Sequence, residues 1–405
     1  MIIGIDASRA FGEQRTGTEE YSYQIIKHLL ALPEAKKHEW ILYTRNSPPA
    51  AADPSLKSIL RFASCDVREG RGVSYKIRQI SLPCLWTQVG LAARTWMDKL
   101  DVLWIPAHTL PLLRQPSWLR EGKPLKTVVT IHGLEYEWLP EYSNWLQAWY
   151  LPLSTQYAVL SAQKIIAVSE FTKRQLINRL KADPIKISVI HEGVINTSPS
   201  NPSPKEITPS GSGEGRKGGV LKKFGLTPGE YLLFIGTIQP RKNLERLIQA
   251  FSGLSSQPSG LRLVIAGKLG WMYDEVLAAP KKWGVEDKVV FTGYINEAER
   301  NSLLLNARVY VQPSVTEGFG LPVLEAFAAG APVVSSKGGA LSEIVGEAGL
   351  LFDPFDVLDI CHKLSLVIRS HSLRKELIKK GRERIKEFSW QMAAERTYKI
   401  LNSKF

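Results

Sequence analysis

Cysteine is scarce. Cys65, Cys84 and Cys361 are the only three in 405 residues, too few and too far apart for a disulfide framework. No Cys-x-x-Cys pair exists to hold a structural zinc. That usage suits a reducing cytosol. Long apolar runs are missing too: no window of about 18 uncharged apolar residues occurs, so no spanning helix is expected. The opening MIIGIDASRA meets Asp6 too early to be a secretory signal. A cytoplasmic chain, at most peripheral at the inner face of the membrane, is expected. Asp-x-Asp, the pair that commonly holds a catalytic metal, is absent, and neither half opens with G-x-G-x-x-G followed by a ribose-binding acid. The second absence removes a dehydrogenase.

What is present is a globular composition, 44% hydrophobic and 22% charged, in a chain too long for one ordinary core. Lys and Arg number 52 against 39 Asp and Glu, a net charge of +13. Such an excess suits an anionic partner. The basic residues are spread over both halves and carry no nucleic-acid motif, so no nucleic-acid partner is expected.

Short β-branched runs alternate with helical patterns. IIGIDAS, VLWIP, TVVTIHG and KIIAVS each precede polar or glycine residues and then a helix. Gly17–Leu30 has helical spacing through Tyr21, Ile25, Ile26, Leu29 and Leu30. Continuous apolar strands alternating with helices indicate parallel sheets covered on both faces, an α/β class. Residues 196–219 are rich in Ser, Pro and Gly and read as a flexible linker, expected to permit closure of two domains over a ligand. The alternation restarts after it with YLLFIG, LRLVIAG, KVVFTG, VYVQPS and APVVSS. The expected division is 1–195, the linker, 220–388, and a last helix in 389–405 capped by Ser389. Its stripe is Ala393, Ala394, Thr397, Ile400 and Leu401.

In open parallel sheets ligands bind beyond the carboxyl ends of the strands, which singles out His132, Gly236–Asn243 and Pro313–Leu321. In GTIQPRKNLERLIQAF, Arg241 and Lys242 sit at a helix entrance, with Asn243 its expected N-cap. Cations there are unfavourable unless an anion joins them, which argues for a phosphate. In PSVTEGFGLPVLEAFAAGAPVV, Glu317 falls in a loop and Glu325 in about the first turn of the next helix. Gly318 and Gly320 would let phosphate approach the backbone, and a carboxylate can accept hydrogen bonds from vicinal hydroxyls. A solvated loop and a helix-dipole acid are the plainer readings of these residues.

These stretches, with VSEFTKRQLI, EAGLLFDPFD and a final FSW, together resemble the retaining nucleotide-sugar glycosyltransferases of GT-B fold, family 4, whose signature is E-x7-E. The likeness is strongest to the mannosyltransferase-type branch of bacterial polysaccharide synthesis, and fades over 46–100 and the linker. It implies two Rossmann-like domains facing across a cleft, with the C-terminal helix crossing back to the first. It implies transfer of a hexose from a GDP- or UDP-sugar, with GDP-mannose the leading donor, and no metal or other cofactor. Arg241 and Lys242 would bind the donor diphosphate, Glu325 the ribose and Glu317 the transferred sugar. Gly236, Phe319, Gly320 and Leu321 would line the donor site, Gly17 would approach the diphosphate, and His132 would hold the sugar. Gly133 stands where the branch usually has Asp, and Ser342 where it has Pro. The acceptor would be a glycan or lipid-linked glycan. An aromatic, basic first domain, with Trp86, Trp96, Trp104, Trp118, Trp138, Trp145 and Trp149, would suit an anionic membrane surface. Another GT-B activity (epimerase or phosphorylase) and a non-catalytic relative are the alternatives.

Overall fold

A computed structural model describes residues 1–11, 17–45, 73–82, 85–115, 124–134, 145–195, 218–254 and 260–403, with the backbone alone for 145–149, 151 and 218. The expected linker at 196–219 lies outside these residues up to 217; a helix, Gly218–Lys223, occupies its end. Two compact units emerge, 1–193 with 389–405, and 194–388.

Among the described residues the first unit has seven parallel strands: β1 Ile2–Asp6, β2 Glu39–Thr44, β3 Ser74–Gln79, β4 Val102–Ile105, β5 Lys126–Ile131, β6 Lys164–Ala167 and β7 Ile187–Val189. Their order is β3-β2-β1-β4-β5-β6-β7. Strands β1, β4, β5 and β6 are buried almost throughout, because helices cover both faces, while edge strand β3 alternates. The helix Gly17–Leu30 buries every residue of the expected stripe.

The C-terminal helix, Trp390–Asn402, belongs to this first unit and packs on Gly17–Leu30. Ser389 accepts from the amides of Gln391 and Met392, as an N-cap should. The tyrosine hydroxyl of Tyr398 lies 2.8 Å from Nε2 of His38, and Lys126 donates to the carbonyl of Ser403. The expected stripe needs one correction. Ile400 is only half-buried, and Trp390 and Tyr398 complete the face instead, since an aromatic covers more of the neighbouring helix.

The described residues of the second unit form six parallel strands: β8 Tyr231–Ile235, β9 Arg262–Ala266, β10 Val289–Gly293, β11 Val309–Gln312, β12 Val333–Ser336 and β13 Gly349–Phe352. Their order is β10-β9-β8-β11-β12-β13. The direction of winding reverses between β1 and β4 in one sheet and between β8 and β11 in the other. Such reversal points open a crevice at the carboxyl ends of the strands. The loops after β8 and β11 flank one such point, and those after β4 and β5 lie side by side because the two strands pair.

Candidate active site

Strand β8 ends at Ile235, and Gly236 continues its ladder by donating to the carbonyl of Ala266. A single 3-10 turn, Pro240–Lys242, then precedes the helix Leu244–Gly253. Asn243 takes the N-cap place but does not cap. It adopts a left-handed conformation, φ 58° and ψ 33°, which turns its amide away from the helix. That amide donates to the carbonyls of Pro313 (3.1 Å) and Pro354 (2.7 Å), tying together the loops after β8, β11 and β13. The amide of Val315 donates to the carbonyl of Arg241, closing the seam.

Glu317 sits in the loop after β11 and is 7% exposed, against the plainer expectation of a solvated acid. Its Oε2 accepts from Arg241 Nη1 at 2.7 Å. Its Oε1 accepts from Lys242 Nζ at 2.5 Å, Ser314 Oγ at 2.6 Å and Gln312 Nε2 at 3.0 Å. Gln312 is in turn oriented by the hydroxyl of buried Tyr310. Burial alone would raise the carboxyl's pKa, but Arg241 and Lys242 outweigh it and hold the group far below its ordinary value. Arg241 also donates to the carbonyl of Thr316 and is itself buried. The expectation that these cations require an outside anion is thus corrected: the chain supplies one carboxylate. Two cations and one acid still sum to one positive charge, at the end of a parallel sheet.

The next helix is Leu321–Ala329. Gly320, at φ 115°, is its N-cap residue, and Pro322 lies within its first turn, as the spacing suggested. Glu325 is the fifth helical residue, just past the first turn, and Gly318 belongs to the loop. The Glu325 carboxylate lies 2.9 Å from Nη1 of Arg300, half-buried. Phe319 is buried with its ring edge-on to Phe388 at 6.0 Å. Thus Gly236, Arg241, Lys242, Glu317, Phe319, Gly320, Leu321 and Glu325 all belong to the loops and helix that follow β8 and β11. Gln312 and Ser314, which fix Glu317, went unnoticed in the sequence; the QPS tripeptide at a strand end was their only signal.

In the first unit, Gly17 begins a helix. His132 follows β5. Its Nδ1 lies 3.1 Å from Glu192 Oε1 and its Nε2 3.0 Å from the carbonyl of Pro106, after β4. The edge of Tyr21 packs on the ring at 4.6 Å. The backbone N–H of His132 donates to Nε2 of His108, a half-buried imidazole whose pKa desolvation pushes down to about 3. Gly133 adopts φ 151°. Among the described residues no three His, Cys, Asp or Glu side chains are grouped as the ligands of a metal would be.

The aromatic surface expected of this unit divides. Trp86 and Trp104 are core residues, each spending its indole N–H internally, and Trp96 is exposed. Trp118 and Trp138 lie outside the described residues, as do the side chains of Trp145 and Trp149.

Residues 222–384 match the family model of glycosyl transferases group 1, and residues 15–196 that of glycosyltransferase family 4. The O-antigen chain mannosyltransferase B of Escherichia coli is 33% identical over 71% of this chain and 73% of its own length. Among solved structures, WaaG, a glycosyltransferase involved in lipopolysaccharide biosynthesis, superposes with a TM-score of 0.70 at 15% identity, over all of both chains. Anabaena Alr3699/HepE, in complex with UDP and glucose, gives 0.68 at 17% identity over 100% of this chain and 99% of its own.

Proposed function

Since the chain belongs to the group 1, family 4 glycosyltransferases of GT-B fold, we propose that it transfers mannose from GDP-mannose to a growing glycan or lipid-linked glycan, retaining the anomeric configuration and using no metal. The observation that carries the reading is the Arg241–Lys242–Glu317 cluster at the point where β8 meets β11. Breaking the sugar–phosphate bond sends its electron pair to the departing diphosphate. Prepositioned cations are suited to neutralise that growing charge without reorganising. The acceptor hydroxyl then bonds to the anomeric carbon from the same face and passes its proton to the leaving phosphate oxygen. Glu325 holds the ribose, and Glu317 both sets the cations and faces the transferred sugar. His132 holds the sugar from the first unit.

Mannose is favoured by the mannosyltransferase of Escherichia coli. A UDP-hexose is the second reading, favoured by the structural likeness to a protein seen with UDP and glucose. A thermal-shift panel of GDP-, UDP- and ADP-sugars, followed by transfer with the stabilising donor in EDTA, separates them. Stabilisation by GDP-mannose and EDTA-insensitive transfer are expected; rates abolished by EDTA sink the metal-free reading.

The partner reading extends to an anionic membrane surface. The helix Trp145–Ser161 contains no charged residue, and Tyr150, Leu153 and Leu160 on it are exposed. Gln88 Nε2 donates to the hydroxyl of Tyr150, and Trp96 donates to the carbonyl of Leu113, so the exposed Val89, Trp96, Met97, Leu112 and Leu113 adjoin it. Arg94 and Lys99 supply positive charge beside this apolar face. Among the described residues no helix is long and apolar enough to cross a membrane. Co-sedimentation with anionic liposomes at low salt is expected, and absence of pelleting removes this partner.

A further inference from the structure

Glu192 is an acid for which neither the motif pattern nor the transfer scheme has any use. It lies three residues beyond β7, is 3% exposed, and aims its carboxylate at His132. Its place is set by backbone packing. Ile190 closes the ladder onto the carbonyl of Ala167. Gly193 passes so close beneath the C-terminal helix that a Cβ there would fall 2.1 Å from the amide nitrogen of Trp390. The same Trp390 packs on Tyr21, and Tyr21 on His132.

The hydrogens can be counted. The carbonyl of Pro106 only accepts, so His132 Nε2 must carry a proton. The 3.1 Å contact between Nδ1 and Glu192 Oε1 then holds one more proton, on either the ring or the acid. Either way the pair is neutral overall, which is what burial demands. The other titratable groups near the ring are His108, kept neutral by burial, and the Tyr21 hydroxyl, directed at Thr130. Neither competes for the Nδ1 proton.

We infer that Glu192 is a positioning residue for His132. Through Nδ1 it fixes the ring's orientation and sets how much positive charge the imidazole presents. The inference rests on the transferase reading above, in which His132 holds the sugar. With both ring nitrogens committed inside the unit, the substrate meets a preset ring whose charge depends on Glu192.

The test is Glu192→Gln, which keeps shape and a donor to Nδ1 but cannot carry charge, followed by Glu192→Ala. Carboxylates that orient metal-bound histidines contribute 10–100-fold, and the lower end of that range is taken for this unmetallated ring. Folding is expected to survive in the glutamine variant, with donor KM unchanged and kcat about tenfold lower; alanine should fall further. Unchanged kcat in both overturns the inference. Nitrogen-15 spectra of wild-type His132 give a reading independent of any variant's folding. The inference expects a protonated Nε2 and an Nδ1 engaged in a hydrogen bond, both sheltered from water. Ring nitrogens with the shifts and exchange of a free imidazole overturn it. Failure of wild type to turn over any nucleotide sugar would instead strike the transferase reading and leave the spectra interpretable.

Discussion

Arg241 and Glu317 stand 76 positions apart in the chain and 2.7 Å apart in the fold. Both are buried, so removing one partner strands the other's charge. Arg241→Ala is expected to lower stability by about 3 kcal/mol, the range for breaking a buried pair, with Lys242 softening the loss. Urea denaturation followed on the second unit's tryptophans reads it; an unaltered midpoint contradicts the pairing.

Lys242→Ala is the cleaner probe of binding, because its ammonium is less enclosed than the guanidinium. A charge-assisted hydrogen bond contributes about 1.5–3 kcal/mol, so the donor's Kd should rise on the order of tenfold to a hundredfold. Calorimetry on the stabilising nucleotide sugar measures this. Equal affinity refutes the diphosphate role.

Acid should weaken the second unit through Glu317. Its folded pKa lies below the ordinary value of 4.5, so the unfolded chain binds the proton more readily. The stability it confers is complete above 4.5 and drains away as pH falls toward the folded value. Glu317→Gln should flatten that part of the stability profile. Glu192 has the opposite sign: burial raises its pKa despite His132, so its protonated form favours the fold and its contribution declines as pH rises.

Glu325→Ala should cost less than about 1 kcal/mol of stability, because its partner Arg300 forms a partly solvated pair. Donor affinity is expected to drop about tenfold, the scale of one lost hydrogen bond. Arg300→Ala is the control. An equal loss there would mean that Glu325 acts by holding Arg300 and not by touching ribose.

Gly133→Asp, which restores the residue usual in the branch, should not improve the protein. At φ 151° an L side chain is strained, typically by about 1–3 kcal/mol. A lower melting temperature without gain in kcat is expected; a stable, faster variant would show that the loop readjusts.

The alternation of apolar runs with helical spacing made both parallel sheets legible, because a strand covered on two faces has to be apolar throughout. Arg241, Lys242, Glu317 and Glu325 were legible as residues near strand ends. Their mutual contacts were not. That Glu317 meets the cations depends on β8 and β11 being neighbours, which follows from strand order and from no local pattern. Asn243 defeated the capping rule because its left-handed backbone depends on three converging loops. Glu192 was invisible for a simpler reason: a lone acid after a strand carries no periodicity, and its significance lies in a histidine 60 residues away.

The final helix has a bearing on biosynthesis. Residues 390–402 close over Gly17–Leu30 and pack beside Tyr21 and His38, in a unit whose described strands all precede residue 190. That earlier half must wait, with part of its apolar surface uncovered, until the closing segment emerges. The stretch between can complete its own sheet sooner. A chain truncated after Phe388 would accordingly display a finished second unit and an open first one.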